Sequence, residues 1–371
     1  METIAVAQIT CTVYHPVTSK ALDVMKALGV REYHLQPSRA VVLRRKAGFL
    51  GIGAGIGLEE EPANRILFYV PLEAAEVALQ ALVAGCELNI PGRGSVVCEE
   101  AAMVRGSVWE DNSLTAVAGT DTVVTQNDLA SITCTVQRGR GDSIVKAVLG
   151  LGMPMPQVTA GEGTGLRDKL GLIRVALPPE KEVVHAVASA HEATDILGSL
   201  VDAGRLDRFG AGFIYESPLA MGVINNMVIR GQRHSASIEQ LIAAVDDLKG
   251  SADWRKRALG GDDPARQHNH IYDLANLTLI CNEGRANDLV RAAMVAGANG
   301  ATIIKLSHAR IDEAESIISP AREMTELIIK KEAIEDVAKA IEDEGVFDQD
   351  TVGLLALKPV TVACTHRGAN R

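Results

Sequence analysis

The pentapeptide Ile9-Thr-Cys-Thr-Val13 recurs letter for letter as Ile132-Thr-Cys-Thr-Val136, and Leu28-Gly29 stands where Leu151-Gly152 stands, with no gap between. A third copy aligns ungapped with the second. Leu274-Ala275, Thr278, Gly284-Arg285, Val290, Ala292 and Gly297 coincide with Leu129-Ala130, Thr133, Gly139-Arg140, Val145, Ala147 and Gly152. Recurrence at so long a spacing means whole domains in tandem, because each copy exceeds the size of a solenoid unit. Length agrees: 371 residues at about 100–150 residues per domain give roughly three.

The middle copy shows the plan most clearly. Leu129 to Val136 alternates apolar and small polar residues with the period of a half-buried strand. A helix follows, capped by Asp142 or Ser143, with Ile144, Val145, Val148 and Leu149 on one apolar stripe and Gly150, Gly152 and Pro154 stopping it. The chain then runs extended through Met155 to Thr159, loops from Gly161 to Asp168, and runs extended again from Leu170 to Leu177. A long helix is expected over Glu180 to Asp202, ended by Gly204, then a turn from Arg205 to Gly212 and a last strand, Phe213 to Glu216. The order is βαββαβ, so the fold class is read as α+β, three tandem ferredoxin-like βαββαβ domains.

In the first copy the opening strand and helix occupy Ile4 to Leu28, and a strand Glu32 to Leu43 leads into a glycine-rich loop between Arg44 and Asn64. Ile66 to Val70, a helix Glu73 to Ala84, the turn Pro91-Gly92-Arg93-Gly94 and the strand Ser95 to Glu99 complete it. The third copy is expected to carry its loop at Ser307 to Glu323 and its second helix near Glu332 to Glu344. The domains are therefore 1–104, 129–223 and 271–371. A polar linker, 105–128, and a longer one, 224–270, with a helix from Ser237 to Leu248, separate them. His268-x-His270 could face one metal ion from a strand, but no third or fourth ligand stands nearby.

Composition excludes several classes of function. A net charge of −10 and an aromatic content of 3% argue against nucleic acid as a partner. The absence of a long apolar run and of a basic N-terminal region argues against membrane insertion and secretion, so a cytoplasmic location is expected. Six isolated cysteines read as reduced, packed thiols. His185 and His191, placed on the expected long helix, read as packing or surface residues. No nucleophile stands beside a base, so catalytic residues are not assigned and an enzyme is not the leading expectation.

The middle copy resembles the nitrogen-regulatory PII signal proteins over nearly its whole length. The resemblance rests on the strand-helix opening, on Gln157-Val-Thr-Ala-Gly161-Glu-Gly163 leading into a loop, on Leu172-Ile-Arg-Val-Ala-Leu-Pro-Pro, and on Ala203-Gly204-Arg-Leu-Asp-Arg-Phe-Gly210-Ala-Gly212-Phe-Ile-Tyr. It implies a PII-like pseudo-trimer folded from one chain, with ATP, ADP or AMP as ligand in the clefts between domains. Backbone amides of Gly161, Gly163, Gly204, Gly210 and Gly212 would form an anion nest, with charge from Arg205 and Arg208. Arg230 and Arg233 resemble in position the basic pair that the family places near phosphates, and Gly92, Arg93 and Gly94 form the corresponding turn of the first copy. The chain departs from the family at the Gly-Lys step, which is Gly212-Phe213 here and Gly94-Ser95 in the first copy. The function implied is a sensor that binds an adenine nucleotide or related anion and signals to a protein partner through mobile loops, as a monomer or a homo-oligomer. The alternatives are a structural or assembly protein with degenerate clefts, and an enzyme acting on a nucleotide.

Overall fold

The computed structural model describes residues 1–46, 55–90, 92–109, 114, 124–164, 179–224, 268–310, 318 and 320–365. The first repeat consists of β1 (Thr3–Tyr14), α1 (Thr18–Leu28), β2 (Glu32–Lys46), β3 (Gly55–Pro71), α2 (Ala75–Cys86) and β4 (Gly94–Val104). The second consists of β5 (Leu129–Gln137), α3 (Gly141–Gly150), β6 (Gln157–Thr164), β7 (Glu180–Ser189), α4 (Ala193–Gly204), β8 (Gly212–Leu219) and the short β9 (Met221–Val223). The third consists of β10 (His270–Ile271), β11 (Leu274–Asn282), α5 (Ala286–Val295), β12 (Ala301–Arg310), β13 (Ala321–Lys330), α6 (Ile334–Asp343), β14 (Leu354–Val360) and β15 (Val362–Thr365).

The repeated pentapeptide has two faces because side chains alternate across a strand. On β1, Ala7, Ile9, Cys11 and Val13 join Met25, Leu28, Leu79 and Leu82 of α1 and α2 in one buried cluster. Ile132, Cys134 and Val136 do the same with Ile144, Val148, Leu197 and Leu200 of α3 and α4. Leu277, Leu279 and Cys281 pack on Leu289, Val290, Val337 and Ile341 of α5 and α6. The intervening residues, Gln8, Thr10 and Thr12 on β1 and Thr133 on β5, turn to the opposite face of the sheet.

The expected fold class, three tandem ferredoxin-like domains forming a PII-like pseudo-trimer, is corrected by the strand pairing. The fifteen strands among the described residues belong to one sheet, and nine of them close an antiparallel barrel in the order β6-β12-β13-β11-β14-β4-β1-β3-β2, leaving six outside the ring. Three seams close it among the second strands of the repeats. They are β2 with β6 through Arg39↔Val158, β6 with β12 through Thr164↔Ala301, and β12 with β2 from Ser307↔Leu35 to Arg310↔Glu32. Elsewhere β14 pairs with β4, β15 with β8 and β9 with β4. The physical reason is the edge strand. A repeat read alone has edges with rows of unpaired amides and carbonyls, and here those edges satisfy one another, so the repeats become arcs of a single sheet.

Local expectations also shift. Glu180 to Asp202 is not one helix but β7 followed by α4, because Val183 and Val184 face opposite sides of the sheet, into the barrel interior and onto the helices respectively. The glycine loop of the first repeat is shorter than expected, since β2 runs to Lys46 and pairs there with Gly55 of β3. Gly161 and Gly163 belong to β6, and Ser307 to Arg310 and Ala321 to Glu323 to strands. The run Leu170 to Leu177, the helix Ser237 to Leu248 and Gly48 to Gly53 lie outside the described residues.

Neither Asp142 nor Ser143 caps α3. Glu182 reaches from β7 instead, and its Oε2 accepts from the amides of Gly139 (3.0 Å) and Gly141 (2.8 Å). Glu323 on β13 does the same for α5, accepting from Gly284 (3.0 Å) and Ala286 (3.2 Å). All six cysteines are buried and unpaired. Among the described residues no helix is long and apolar enough to cross a membrane.

Candidate functional site: a polar cavity inside the barrel

Residues of ring strands and of β5, β7 and β8, the second repeat's strands outside the ring, together line a cavity of about 70 Å³. Gln8, Thr10 and Thr12 of β1, Arg65 of β3 and Glu99 of β4 line it from the first repeat. Thr133, His185 and Tyr215 come from β5, β7 and β8, and Glu326 and Lys358 from β13 and β14. Strand alternation placed them there: each occupies the position between residues that pack on the helices.

Three of the four charged groups are held by close partners. Lys358 Nζ lies 3.3 Å from Glu99 Oε2, which also accepts from Gln8 Nε2 at 3.1 Å. Tyr69 donates to Gln8 Oε1 at 3.0 Å, extending the chain to β3. Tyr215 donates to Glu326 Oε2 at 2.9 Å, and Asn276 Nδ2 to the Tyr215 oxygen at 3.3 Å. These bonds tie the first repeat to the third and the second to the third.

Arg65 differs. Its Nη1 donates to the neutral Gln36 Oε1 at 3.0 Å, and among the described residues it makes no ion pair. Burial lowers its pKa, opposed by the charges of Glu326 and Glu99, yet a guanidinium stays protonated at any physiological pH. Arg65 is half-buried, and the other N–H donors of its planar fork are open to water or a ligand.

His185 stands between two hydroxyls, Thr133 Oγ1 at 3.5 Å from Nδ1 and Thr159 Oγ1 at 3.3 Å from Nε2. Burial, then Arg65 and Lys358, hold it well below the ordinary histidine range. Burial also raises the phenol of Tyr215. Both are neutral at physiological pH, so beyond the Glu99–Lys358 pair this lining offers uncharged hydrogen bonds, the Arg65 cation and the Glu326 carboxylate.

The glycines and arginines singled out in the sequence lie elsewhere. Gly161 and Gly163 sit on β6, with β7 and β5 between them and Gly212 on β8, a separation of roughly 14 Å at the usual strand spacing. Gly163 donates its amide to Pro179 at 2.8 Å. Gly204 ends α4 against Ile144, and Arg205, in the left-handed region at φ 51°, begins a turn that closes on itself. In that turn the amides of Arg205, Arg208 and Ala211 donate to Asp202, Arg205 and Arg208 carbonyls. Arg205 and Arg208 are exposed, and Gly210 accepts from Gln137 at 3.1 Å. Gly92 and Gly94 flank Arg93, which pairs with Glu87 at 3.4 Å. Arg230 and Arg233 lie outside the described residues. His268 contacts Gly198 and lies 3.7 Å from Asp202, and no group of three metal-ligating side chains occurs among the described residues.

The interior residues had a sequence signal: Gln8-x-Thr10-x-Thr12 is a polar face on a strand whose other face is apolar. Polar faces of isolated strands read as solvent-exposed, and only closure of the sheet turns this one inward.

No protein-family model and no curated protein matches the chain. A crystal structure of aspartate kinase from Synechocystis is similar over 95% of this chain and 44% of that one, at 11% identity and a TM-score of 0.22. The chain spans less than half the length of that protein, and a likeness this weak carries no argument. None of these findings indicates the PII family.

Proposed function

We propose that this is a binding protein of the sensor class that takes a small carboxylate or related oxyanion into the barrel interior, with Arg65 as its principal partner. One observation carries the reading: a guanidinium at the cavity wall has one neutral hydrogen-bond partner and no carboxylate within ion-pair distance. Glu326 and Glu99 act on this cation only at a distance, and a bidentate oxyanion would give its planar fork the direct contact that neither carboxylate makes. Thr10, Thr133 and His185 supply the uncharged hydrogen bonds that would orient the rest of the ligand.

Size selects among anions. At about 70 Å³ the cavity is well below the roughly 300–1,000 Å³ of sites for drug-sized ligands. An adenine nucleotide is too large for this cavity, so the ligand proposed for it has a few heavy atoms. Reduced thiols are consistent with a cytoplasmic setting.

A thermal-shift panel of small mono- and dicarboxylates, phosphate and ATP tests the proposal. At least one small carboxylate should raise the unfolding temperature saturably, and Arg65→Gln should abolish that rise. A response to ATP alone, or to none of the panel, would overturn it. A structural reading is favoured by the Glu99–Lys358 pair, which joins two repeats. Under that reading Arg65→Leu is neutral or stabilising and no ligand shifts the transition.

A further inference from the structure

A second cluster lies at the β2–β12 seam, independent of the Arg65 cavity. His34 and His308 are directly opposed across the seam, with ring centroids 5.4 Å apart. They are 7% and 6% exposed, and the Nε2 of each has no hydrogen-bond partner among the described residues. Arg322 of β13 lies beside them at 1% exposure. Its terminal nitrogens donate to Asn282 Oδ1 (2.6 Å) and to the carbonyls of Val352 (2.7 Å), Ile280 (3.4 Å) and Thr351 (3.5 Å). All four acceptors are neutral, and its Nε has none.

His34 and Arg322 border a cavity of about 20 Å³, together with Glu32, Tyr69 and Trp109. The Glu32 carboxylate lies 3.3 Å from Arg310 and 3.5 Å from His308 Nε2, so its charge is balanced by Arg310. No carboxylate stands within ion-pair distance of Arg322 among the described residues. Glu32, on the cavity wall, acts on Arg322 only at a distance, and the buried Arg322 Nε–H and His34 Nε2 are left without hydrogen-bond partners.

We infer that this cavity is a site for one chloride-sized anion, held by the Nε–H of Arg322 and by His34 in the tautomer that carries its proton on Nε2. A water molecule needs about 10–15 Å³ of such volume, so the space takes one monatomic ion and is too small for phosphate or a carboxylate. Burial, then Arg322 and His308, keep His34 well below its ordinary pKa, so it donates without adding charge. The ion would lock the first repeat to the third.

The test uses the full chain, unfolded thermally in chloride and in gluconate at equal ionic strength, with bromide-soaked crystals for anomalous scattering. Chloride should raise the transition saturably by roughly 2–4 °C, and a bromide peak should appear within hydrogen-bond distance of Arg322 Nε. His34→Leu should remove the salt-specific rise while retaining the fold. Where Arg322→Met fails to fold, the histidine variant still decides. Equal transitions in the two salts, or a cavity peak without anomalous signal, would overturn the inference by leaving only a water there.

Discussion

At the residue scale, two glutamates do what local sequence assigned to residues beside the helix. Glu182 and Glu323 each cap the helix before them in the chain from a neighbouring strand, with a full charge aimed at two amides and at the positive end of the helix dipole. Glu323→Ala should cost about 1–2 kcal/mol in urea unfolding. Ser143→Ala, whose hydroxyl bonds only to the Arg140 carbonyl, should stay within about 0.5 kcal/mol. Gly94 is a further fixed point: at φ 149° an added Cβ would stand 2.3 Å from the Thr12 carbonyl oxygen, so Gly94→Ala should cost roughly 2 kcal/mol or more. The buried histidines set a pH dependence. His34 and His185 both titrate well below the model-peptide value of 6.5 when folded. Well above pH 6.5 each is neutral in both states and stability is full. As pH falls below that, the unfolded chain binds protons that the folded chain refuses, so stability declines. Urea midpoints measured from pH 7.5 to 5 should fall steadily, and His185→Gln should flatten the slope.

At the element scale, legibility followed the reach of the determinant. The stripe Ile144, Val145, Val148, Leu149 is local, and all four residues are buried on α3. The segment from Glu180 to Ser189 has Glu, Lys, His and two alanines that suit a helix, and only its pairing with β5 at Thr133↔His185 and with β6 at Gln157↔His185 makes it a strand. Tertiary pairing outweighed propensity there. The barrel seams were illegible for the same reason: nothing in β2, β6 or β12 read singly says that their edges meet. The candidate site suffered most, because glycine turns advertise themselves in sequence, whereas an inward polar face looks like an outward one until the sheet closes. A seam can be broken directly. Ile303 pairs with Thr325 on one side and Glu162 on the other, so Ile303→Pro should cost about 3 kcal/mol or more. Hydrogen exchange should then show lost protection in β6 as well as β12. Loss confined to β12 would mean the seam contributes little.

At the scale of the whole molecule, three copies of one plan share a single closed sheet, with helices covering its outside and a polar network joining the copies inside. The outside of such a body is shaped by packing, and the places where copies differ, Arg65, His185, Glu326 and Lys358, face the interior. Calorimetric titration of small carboxylates into the wild-type chain, Arg65→Gln and the surface double variant Arg205→Gln/Arg208→Gln tests whether the interior is where the ligand goes. Saturable heat is expected from the wild type and the surface variant and none from Arg65→Gln; heat that survives in Arg65→Gln and disappears in the surface variant would contradict it.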